Sequence, residues 1–445
     1  MDTKYDVIII GAGIIGTPTA YELAKLGYKT LNIDKLAGPG SGSTANSCAI
    51  VRAHYSTEDG VAMAYEGFKY WLDWENYLGQ VKDEKGYARY MNTGSILIKS
   101  KGHDWRKVQK HYDAVGVPYE EWNVQKIIQM APVYDLHEYW PVRRPEDPRF
   151  YDEPSGMLEG ALFCPEGGYV NDPELSAHNM MRAAEANGSE FLFNAEVVEI
   201  RRENGQVQGV TLKDGSRIHA PVVLNAAGPH SFKVNKMVKE VWEECNIKTK
   251  ALRHEVMHCP SPAGYDYLND GYHTSDGDIG CYYRPEVGNM FLIGSEDPEC
   301  DPQHWVDPDE FYAGGGGPGW NNQLSEAQWK AQCYRLAKRV PTLPIPNQPR
   351  GVVDLYDCSD DWIPIYDKSS LKGYYMAIGT SGNQFKNAPV VGAMMAALID
   401  ACEKGLDHDS QPFQFKMHYI GRRFDVGFYS RRREINPESS FSVNG

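Results

Sequence analysis

Three glycines near the start of the chain, Gly11, Gly13 and Gly16, have the spacing that binds the pyrophosphate of a dinucleotide. Gly11 allows a tight turn, Gly13 lets the backbone approach a pyrophosphate, and Gly16 lets a helix pack closely against a strand. Asp34 follows 18 residues after Gly16, where a carboxylate can accept hydrogen bonds from an adenosine ribose. These residues predict a dinucleotide site, and a tight turn without a ligand is the alternative.

A second glycine-containing turn lies near the other end of the chain, at Gly379 to Lys386. It follows an apolar strand predicted at 374–379 and precedes a helix predicted at 388–402. The N-terminus of that helix can bind an anion, because its first backbone N–H groups have no partner inside the helix. Two such turns so far apart in sequence indicate an extended ligand that both ends of the chain contact.

A loop at 37–44 follows Asp34 and is rich in glycine and serine. Its hydroxyl and backbone N–H groups are able to bind further phosphate oxygens. A flexible linker is the alternative, since glycine and serine also dominate linkers.

The run from His254 to His258 matches HExxH, a zinc-protease signature when it lies on a helix. Here the pattern alternates with a period of two, and Pro260 and Pro262 follow directly, so a strand is predicted. Two residues four apart are separated by about 13 Å in a strand and by about 6 Å in a helix. One zinc ion could not reach both histidines, and no metal site is expected.

Hydrophobic periodicity predicts the elements that must position these residues. The first glycine turn joins a buried strand at 7–10 to a helix at 14–26, and a strand follows at 28–33. The other predicted elements are helices at 59–78 and 173–187, strands at 190–194, 197–201, 207–212, 217–220 and 222–228, and strand-like runs at 253–259, 280–284 and 290–294. Asn-Gly at 204–205 and Asp-Gly at 214–215 predict hairpins within this series.

Composition bounds the classes of protein that this chain can belong to. Its 445 residues include 45 Lys and Arg against 60 Asp and Glu, and the net charge of −15 argues against nucleic acid and an anionic membrane as partners. No run of 18 apolar residues predicts a membrane span, and no basic segment precedes the first strand as in a signal peptide. Nine cysteines without a CxxC pair suit a reducing cytoplasm, where we expect the protein.

Two segments have no clear chemical role in these patterns. The acidic loop at 296–319 ends in a run of glycines and is either a mobile lid over a site or a solvated excursion. The tail at 403–445 is basic around Arg422, Arg423 and 431–433, and it carries no catalytic pattern.

In combination, the motifs resemble the D-amino-acid-oxidase superfamily of flavoenzymes, in its branch of sarcosine oxidase, glycine oxidase and dimethylglycine dehydrogenase. The resemblance covers most of residues 1–405. The segments that carry it are 11–16, Ser43-Thr44 with Arg52, the turn at 165–173, the strand at 222–228 and the late turn at 379–386.

The resemblance implies an α/β (α+β) fold in two parts. A discontinuous, Rossmann-like FAD-binding domain of the glutathione-reductase type accompanies a substrate domain with a mixed or antiparallel sheet. The FAD-binding domain is expected at 1–86, 157–230 and 350–405, the substrate-binding domain at 87–156 and 231–349, and a C-terminal tail at 406–445.

The resemblance also implies FAD in an extended conformation. Asn46 stands where dimethylglycine dehydrogenases carry a flavin-linking histidine, and Asp354 stands where monomeric sarcosine oxidase carries a flavin-linking cysteine. Non-covalent FAD is therefore expected, although Cys358 lies nearby. The expected cofactor-binding residues are Gly11, Gly13, Ile14, Ile15, Gly16, Asp34, Lys35, Ser43, Thr44, Asn46, Ser47, Val198, Ala227, Gly228, Gly379, Gly382, Asn383, Gln384, Phe385 and Lys386.

In sarcosine-oxidase-like enzymes, an arginine and a lysine at the positions of Arg52 and Lys386 hold the substrate carboxylate. Two fixed cations that converge on one anion form a charge-assisted clamp, and a surface cation is the alternative for each residue alone. Tyr356 matches an active-site tyrosine, and Tyr283 and Arg284 on a roof strand are further catalytic candidates.

Two departures from the family pattern bear on reactivity. Leu292 falls about where sarcosine oxidase has the lysine that assists reaction with oxygen, so a dehydrogenase with another electron acceptor is left open. Gln384 replaces the usual small residue of the late turn, which changes the expected local contacts to the flavin.

The implied reaction is oxidation of the C–N bond of a carboxylated secondary or tertiary amine, such as an N-methyl amino acid. A hydride passes to flavin N5, water hydrolyses the imine, and oxygen or another compound accepts the electrons. The alternatives are oxidation of a primary α-amino acid or 2-hydroxy acid, a nicotinamide-dependent dehydrogenase, and an FAD-carrying subunit of a larger amine oxidase complex. The turn at 380–386 and the hairpin meander speak against the nicotinamide enzyme, because folds that bind NAD have no use for them.

Overall fold

A six-stranded sheet carries the first glycine turn in the computed structural model, which describes residues 4–317 and 319–445. Its strand Val7–Ile10 is entirely buried and pairs in parallel with Thr30–Ile33 on one side and Val222–Asn225 on the other. Only the last of its strands is antiparallel to its neighbour. In spatial order the strands are Glu190–Leu192, Thr30–Ile33, Val7–Ile10, Val222–Asn225, Tyr374–Ile378 and Ile365–Lys368. The predicted Rossmann-like layer is confirmed.

Three helices pack together on this sheet. The helix Gly16–Lys25, which leaves the first turn, contacts both Pro173–Ala186 and Ala388–Glu403. A Cβ atom at Gly392 would lie 2.7 Å from the carbonyl carbon of Pro18, so only glycine allows the first and last helices to approach this closely. Because each of these two helices begins just after a glycine turn, their packing brings the two turns to the same edge of the sheet.

The last of these helices is apolar for a structural reason. Phe385–Glu403 is long and apolar enough to cross a membrane by length and composition, and it is the one such helix in the described ranges 4–317 and 319–445. Of its apolar window, 72% is buried inside the protein. Packing on the sheet and against the first helix therefore accounts for its composition.

A nine-stranded mixed sheet forms the second layer. Its pairings are antiparallel except between His273–Asp276 and Ser95–Ile98. The long strand Thr249–Pro260 contains the HExxH run, so the predicted extended conformation is confirmed. The strands are His304–Val306, Thr249–Pro260, Met290–Ser295, Cys281–Glu286, His273–Asp276, Ser95–Ile98, Ala161–Cys164 and Glu120–Trp122, with Gly351–Ser359 paired to Thr249–Pro260.

Two boundaries between the expected domains differ from this arrangement. The strands Ala161–Cys164 and Gly351–Ser359 fall inside the segments 157–230 and 350–405, which were assigned to the FAD-binding domain. The structure pairs both of them with strands of the mixed sheet. An apolar strand sequence does not reveal which sheet it joins, because both sheets bury it equally well.

The remaining elements connect or cover the two layers. Smaller sheets are formed by Ile50–Val51, Gly168–Val170 and Tyr90–Met91, by the predicted meander Val197–Glu203, Gln206–Leu212 and Arg217–Ile218, and by the pairs His137–Glu138 with Gly156–Met157 and Gln414–Lys416 with Arg423–Asp425. The other α-helices are Glu58–Leu72, Trp74–Tyr77, Trp105–Val115, Val124–Met130, Ser231–Lys236, Lys239–Glu244, Tyr267–Asp270, Pro308–Tyr312 and Glu326–Arg339. The 3-10 helices are Pro148–Tyr151, Gly228–His230, Phe385–Asn387 and Val426–Tyr429.

The C-terminal tail is fastened to the aromatic helix Glu58–Leu72. The carboxylate of Glu66 is fully buried and accepts hydrogen bonds from the backbone N–H groups of His418, Tyr419 and Ile420 at 2.6–3.1 Å. Charge-assisted bonds of this kind are about twice as strong as neutral ones. These bonds attach residues 418–420 of the tail to the helix Glu58–Leu72.

Candidate active site

One long cavity of about 600 Å³ runs between the two glycine turns. Its wall contains residues of the first turn, such as Gly13, and residues of the late turn, such as Lys386, although 373 positions separate them in sequence. Of the expected residues, the wall includes Gly11, Gly13, Ile14, Ile15, Asp34, Lys35, Ser43, Thr44, Asn46, Ser47, Arg52, Ala227, Gly228, Tyr356, Gly382, Asn383, Gln384, Phe385 and Lys386. The structure thus brings the two distant turns together on one elongated site.

The first turn is packed so tightly against the neighbouring strand that it has no room for a side chain at Gly11. Gly11 has a φ of +114°, and a Cβ atom there would lie 2.3 Å from the carbonyl oxygen of Ala226. Asp34 holds the turn by accepting a hydrogen bond of 2.8 Å from the backbone N–H of Ala12. The hydroxyl of Thr44 accepts another from the N–H of Ile14 at 3.1 Å. Bare backbone beside a carboxylate fits the pyrophosphate and ribose of FAD.

The late turn packs against an aromatic ring. A Cβ atom at Gly382 would lie 2.4 Å from the ring of Tyr356, so glycine is required for this contact. The Tyr356 ring is stacked on His254, with centroids 4.4 Å apart, and its hydroxyl lies 3.4 Å from that of Tyr282. The side chain of Gln384 is fixed by the hydroxyl of Tyr366, which donates to it at 3.2 Å. These contacts give the cavity a flat aromatic wall that suits a planar ring system.

Arg52 and Lys386 both lie close to one aromatic ring. The Arg52 guanidinium carbon is 4.9 Å and the Lys386 Nζ 5.0 Å from the centroid of the Tyr55 ring. Arg52 donates to the carbonyls of His54 and, at 2.6 Å, of Val443. Lys386 donates to the hydroxyl of Tyr55 at 2.8 Å and to a backbone carbonyl at 2.7 Å. Both side chains are buried, at 6% and 3% exposed, within the same cavity wall.

Two expected site residues lie outside the cavity wall. Val198 has its side chain 44% exposed, and its neighbour Val197 lines the wall. Tyr283 is fully buried in the core of the mixed sheet beside Phe291, and Tyr282 lines the wall instead. In each case the preceding residue lines the wall: Tyr282 and Tyr283 face opposite sides of a regular strand, and Val198 lies where the pairing of its strand is irregular.

Arg284 and two glycines have structural contacts in place of the expected ligand contacts. Arg284 donates to the carbonyl of Cys48 at 2.7 Å and pairs with Glu286 at 3.0 Å, outside the cavity wall. Gly379 also lies outside the wall, and its N–H donates to the carboxylate of Asp357 at 2.6 Å. A Cβ atom at Gly16 would lie 2.2 Å from the carbonyl oxygen of Gly11, so Gly16 allows close helix packing as its position in the motif predicts.

The acidic loop contributes to the cavity at both of its ends. Glu296 lines the wall where the loop begins, and Tyr312 lines it near the glycine run. The Tyr312 hydroxyl donates to the carboxylate of Asp354 at 2.6 Å, and Asn46 donates to the same carboxylate, also at 2.6 Å. Parts of the loop therefore belong to the cavity wall; Pro318, within the predicted segment 296–319, lies outside the described residues.

The tail also reaches the cavity, although its sequence carries no catalytic pattern. Val443 and Asn444 line the wall, and the Val443 carbonyl accepts the hydrogen bond from Arg52 described above. The carbonyl of Asn444 accepts from the backbone N–H of Ser56 at 3.0 Å. No periodicity or motif in the tail indicates this position, because the contacts depend on its path across the fold.

The thiols near the expected flavin are placed differently from the sequence expectation. Cys358 is fully buried in a core cluster with Leu252 and Trp362 and lies outside the cavity wall. Cys48 does line the wall, and burial raises the pKa of its thiol above the usual range. A protonated thiol is a poor nucleophile, so non-covalent FAD stays the prediction.

Asp357 joins the late turn to the short helix Ser231–Lys236, and its burial predicts a pH effect. Its carboxylate accepts hydrogen bonds from Gly379 and, at 2.8 Å, from the hydroxyl of Ser231. Burial outweighs these bonds and raises the pKa of Asp357 from 3.8 to about 7. The folded protein therefore binds this proton more tightly than the unfolded chain does. Its contribution to stability is complete below pH 3.8 and is lost as the pH rises to about 7.

We therefore expect Asp357→Asn, which imitates the protonated acid, to flatten the stability profile between pH 4 and 7. Between pH 3.8 and about 7, the wild-type protein should lose about 4 kcal/mol of unfolding free energy that the variant does not lose. Urea unfolding of the flavin-loaded protein at several pH values measures the effect. Asp360→Asn, a partly exposed carboxylate in the same region, serves as the control and should retain the wild-type slope. Parallel profiles for wild type and Asp357→Asn would contradict the assignment.

Comparison with known proteins agrees with this geometry. The sequence model of the family described as FAD dependent oxidoreductase matches residues 6–398. The chain is 24% identical over 406 residues to sarcosine oxidase subunit beta of Rhodobacter capsulatus. This alignment covers 89% of this chain and 85% of that one. L-proline dehydrogenase from P. horikoshii has a similar structure, with a TM-score of 0.73, 20% identity, and coverage of 97% of this chain and 98% of that one. Glycine oxidase from Geobacillus kaustophilus is also similar, with a TM-score of 0.71 and 19% identity. The match covers 97% of this chain and 99% of that one.

Proposed function

The chain belongs to the family of FAD-dependent oxidoreductases, and from that premise we propose that it oxidises the C–N bond of a carboxylated secondary or tertiary amine. An N-methyl amino acid is the simplest compound of this class. FAD, when bound, supplies the acceptor for the hydride that leaves the carbon next to the nitrogen. The residues of the chain bind the carboxylate, orient that carbon and keep water away from it.

Two buried cations without carboxylate partners carry this proposal. Within residues 4–317 and 319–445, the contacts of Arg52 and Lys386 are to carbonyl and hydroxyl oxygens, and neither forms an ion pair. A buried charge is normally paired, because removal from water costs several kcal/mol. A substrate carboxylate supplies the missing negative charge. A guanidinium has five N–H donors, so Arg52 retains three for such a ligand.

The protonation of Lys386 favours the same ligand. Burial first, and then the neighbouring charge of Arg52, hold the pKa of the Lys386 ammonium well below its usual value. An anion that binds beside it raises this pKa again, since an opposite charge favours the charged form. Binding of the carboxylate is thus coupled to retention of the lysine proton.

Aromatic side chains prepare the amine for reaction. The buried Tyr55 packs against Arg52 and Lys386, and Tyr282 and Tyr356 line the cavity wall. An ammonium group enclosed by aromatic walls loses hydration, which lowers its pKa and favours the neutral amine that releases a hydride.

The names of the relatives favour two alternatives. Glycine oxidase acts, by its name, on a primary amino acid, and the name of the Rhodobacter protein describes a subunit. This chain could therefore oxidise a primary α-amino acid by the same geometry, or it could carry FAD within a larger amine oxidase complex. The fold leaves the electron acceptor open. Leu292, at the position of the oxygen-assisting lysine, is buried outside the cavity wall.

Three acids that differ in one substituent test the proposal. Sarcosine, glycine and glycolate share a two-carbon acid and carry an N-methylamino, an amino and a hydroxyl group. We expect turnover to be fastest with sarcosine and absent with glycolate, measured by oxygen uptake and by reduction of an artificial dye. A preference for glycolate would contradict amine oxidation. Reduction of the flavin by sarcosine without turnover by either acceptor would favour the subunit alternative.

A further inference from the structure

A buried glutamate belongs to the cavity wall and has no assigned role. Glu296 is 7% exposed and lines the wall, and neither of its oxygens accepts a well-directed hydrogen bond within residues 4–317 and 319–445. Its backbone is fixed at the end of the strand Met290–Ser295, where its N–H donates to the carbonyl of Gly280 at 3.1 Å. An ionised carboxylate can accept about four hydrogen bonds, so its acceptor capacity is almost unused.

A histidine side chain lies next to this carboxylate. The His103 Nε2 lies 2.9 Å from Glu296 Oε2, and both side chains are buried. Burial lowers the pKa of His103, but the charge of Glu296 and contact with it outweigh burial and bring the pKa above its usual value. His103 lies close to Oε2 alone, so Oε1 has no neighbouring cation among the described residues.

The carboxylate is connected to the cationic end of the cavity through His103 and the tail. Two consecutive tail residues connect the two groups, because the Val443 carbonyl accepts from Arg52 at 2.6 Å and the Asn444 side chain lies 3.4 Å from His103 Nε2. Consecutive Cα atoms are about 3.8 Å apart, so Arg52 and His103 contact neighbouring residues of the tail. The cavity therefore has a positive end at Arg52 and Lys386 and a negative group at Glu296.

From this juxtaposition we infer that Glu296 binds the positively charged amino group of the substrate on entry, before the amine loses the proton that must leave ahead of hydride transfer, so that the site takes up a zwitterion held by both of its charges. The inference rests on the proposed function, and it specifies which substrates the site accepts. An ammonium group donates up to three charge-assisted hydrogen bonds, whereas a hydroxyl donates one neutral bond. Glu296 thus selects amino acids over 2-hydroxy acids of the same shape.

Two unreactive probes separate the amino group from the rest of the ligand. 2-Aminoisobutyrate has no hydrogen on the carbon next to nitrogen, and isobutyrate has the same skeleton without the amine. Both are titrated into the flavin-loaded protein, and binding is followed by the change in the flavin absorption spectrum. We expect Glu296→Gln to weaken 2-aminoisobutyrate by about tenfold or more and to leave isobutyrate within about threefold.

Two further variants make the comparison specific. Glu296→Asp keeps the charge and should retain most of the preference for the amine, which a merely structural role of the side chain would not predict. Glu299→Gln, an exposed carboxylate of the same loop, should bind both probes as the wild type does. Equal effects of Glu296→Gln on both probes, or no effect on either, would overturn the inference alone. A wild-type protein whose flavin responds to neither probe would overturn the proposed function as well.

Discussion

Replacement of Arg52 by alanine should raise KM for the carboxylated amine by about a hundredfold or more while FAD stays bound. A hydrogen bond to a charged group contributes about 1.5–3 kcal/mol, and a guanidinium can form two such bonds to one carboxylate. The contacts of Arg52 are to His54 and Val443, and none is to a glycine turn, so the cofactor site is left intact. Steady-state kinetics and the ratio of flavin to protein measure the two parts of this prediction.

Arg52→Lys is the matched control that separates the effect of the positive charge from the effect of the guanidinium geometry. Lysine keeps the positive charge but lacks the planar fork that binds a carboxylate with two donors. We expect it to fall between wild type and alanine in KM. Thermal unfolding of both variants accounts for the lost contact with the tail at Val443. An unchanged KM in Arg52→Ala would refute the clamp, and loss of flavin from a folded variant would assign Arg52 to the cofactor instead.

Replacement of Gly11 by alanine should abolish FAD binding. The new Cβ atom would stand 2.3 Å from the carbonyl oxygen of Ala226 and 2.9 Å from its carbonyl carbon, both of them backbone atoms at the end of the central sheet. The residue would also keep a φ of +114°, which side chains other than hydrogen disfavour. Relief of the collision requires the strands Val7–Ile10 and Val222–Asn225 to move apart at the place where the pyrophosphate would bind.

Gly27→Ala is the control that introduces backbone strain without a collision between the new Cβ atom and its neighbours. Gly27 also has a positive φ, of +91°, but nothing lies within 4 Å of the position that a Cβ atom would take there. We expect this variant to lose about 1 kcal/mol of stability and to retain its flavin. Absorbance of the purified proteins gives the flavin content of both. A yellow Gly11→Ala protein with a full complement of FAD would show that the first turn does not hold the cofactor.

The sequence predicted the parts of the site that depend on local spacing. Gly11 and Asp34 belong to one strand–turn–helix–strand unit, and their separation along the chain is set by the unit itself. The extended conformation of the HExxH run followed from its period and the prolines after it. Such features need no knowledge of the remaining chain, which is why the structure agrees with them.

The residues that sequence reasoning misplaced depend on register or on distant contacts. Tyr282 and Tyr283 are adjacent in one strand, and only the pairing with neighbouring strands decides which of them faces the cavity. Arg52 meets Val443 across 391 positions, and no local pattern encodes such a contact. Glu296 was one acidic residue among many in a polar loop, and its burial became visible only with the fold.

The central claim is that one FAD lies between the two glycine turns with its ring beside a pocket for a carboxylated amine. Anaerobic addition of sarcosine to the purified flavin-loaded protein tests it most directly, with the visible flavin absorbance as the signal. We expect the yellow colour to bleach with sarcosine and to stay with glycolate. A protein that remains colourless after incubation with FAD, or one whose colour responds to glycolate and to no amine, would contradict it.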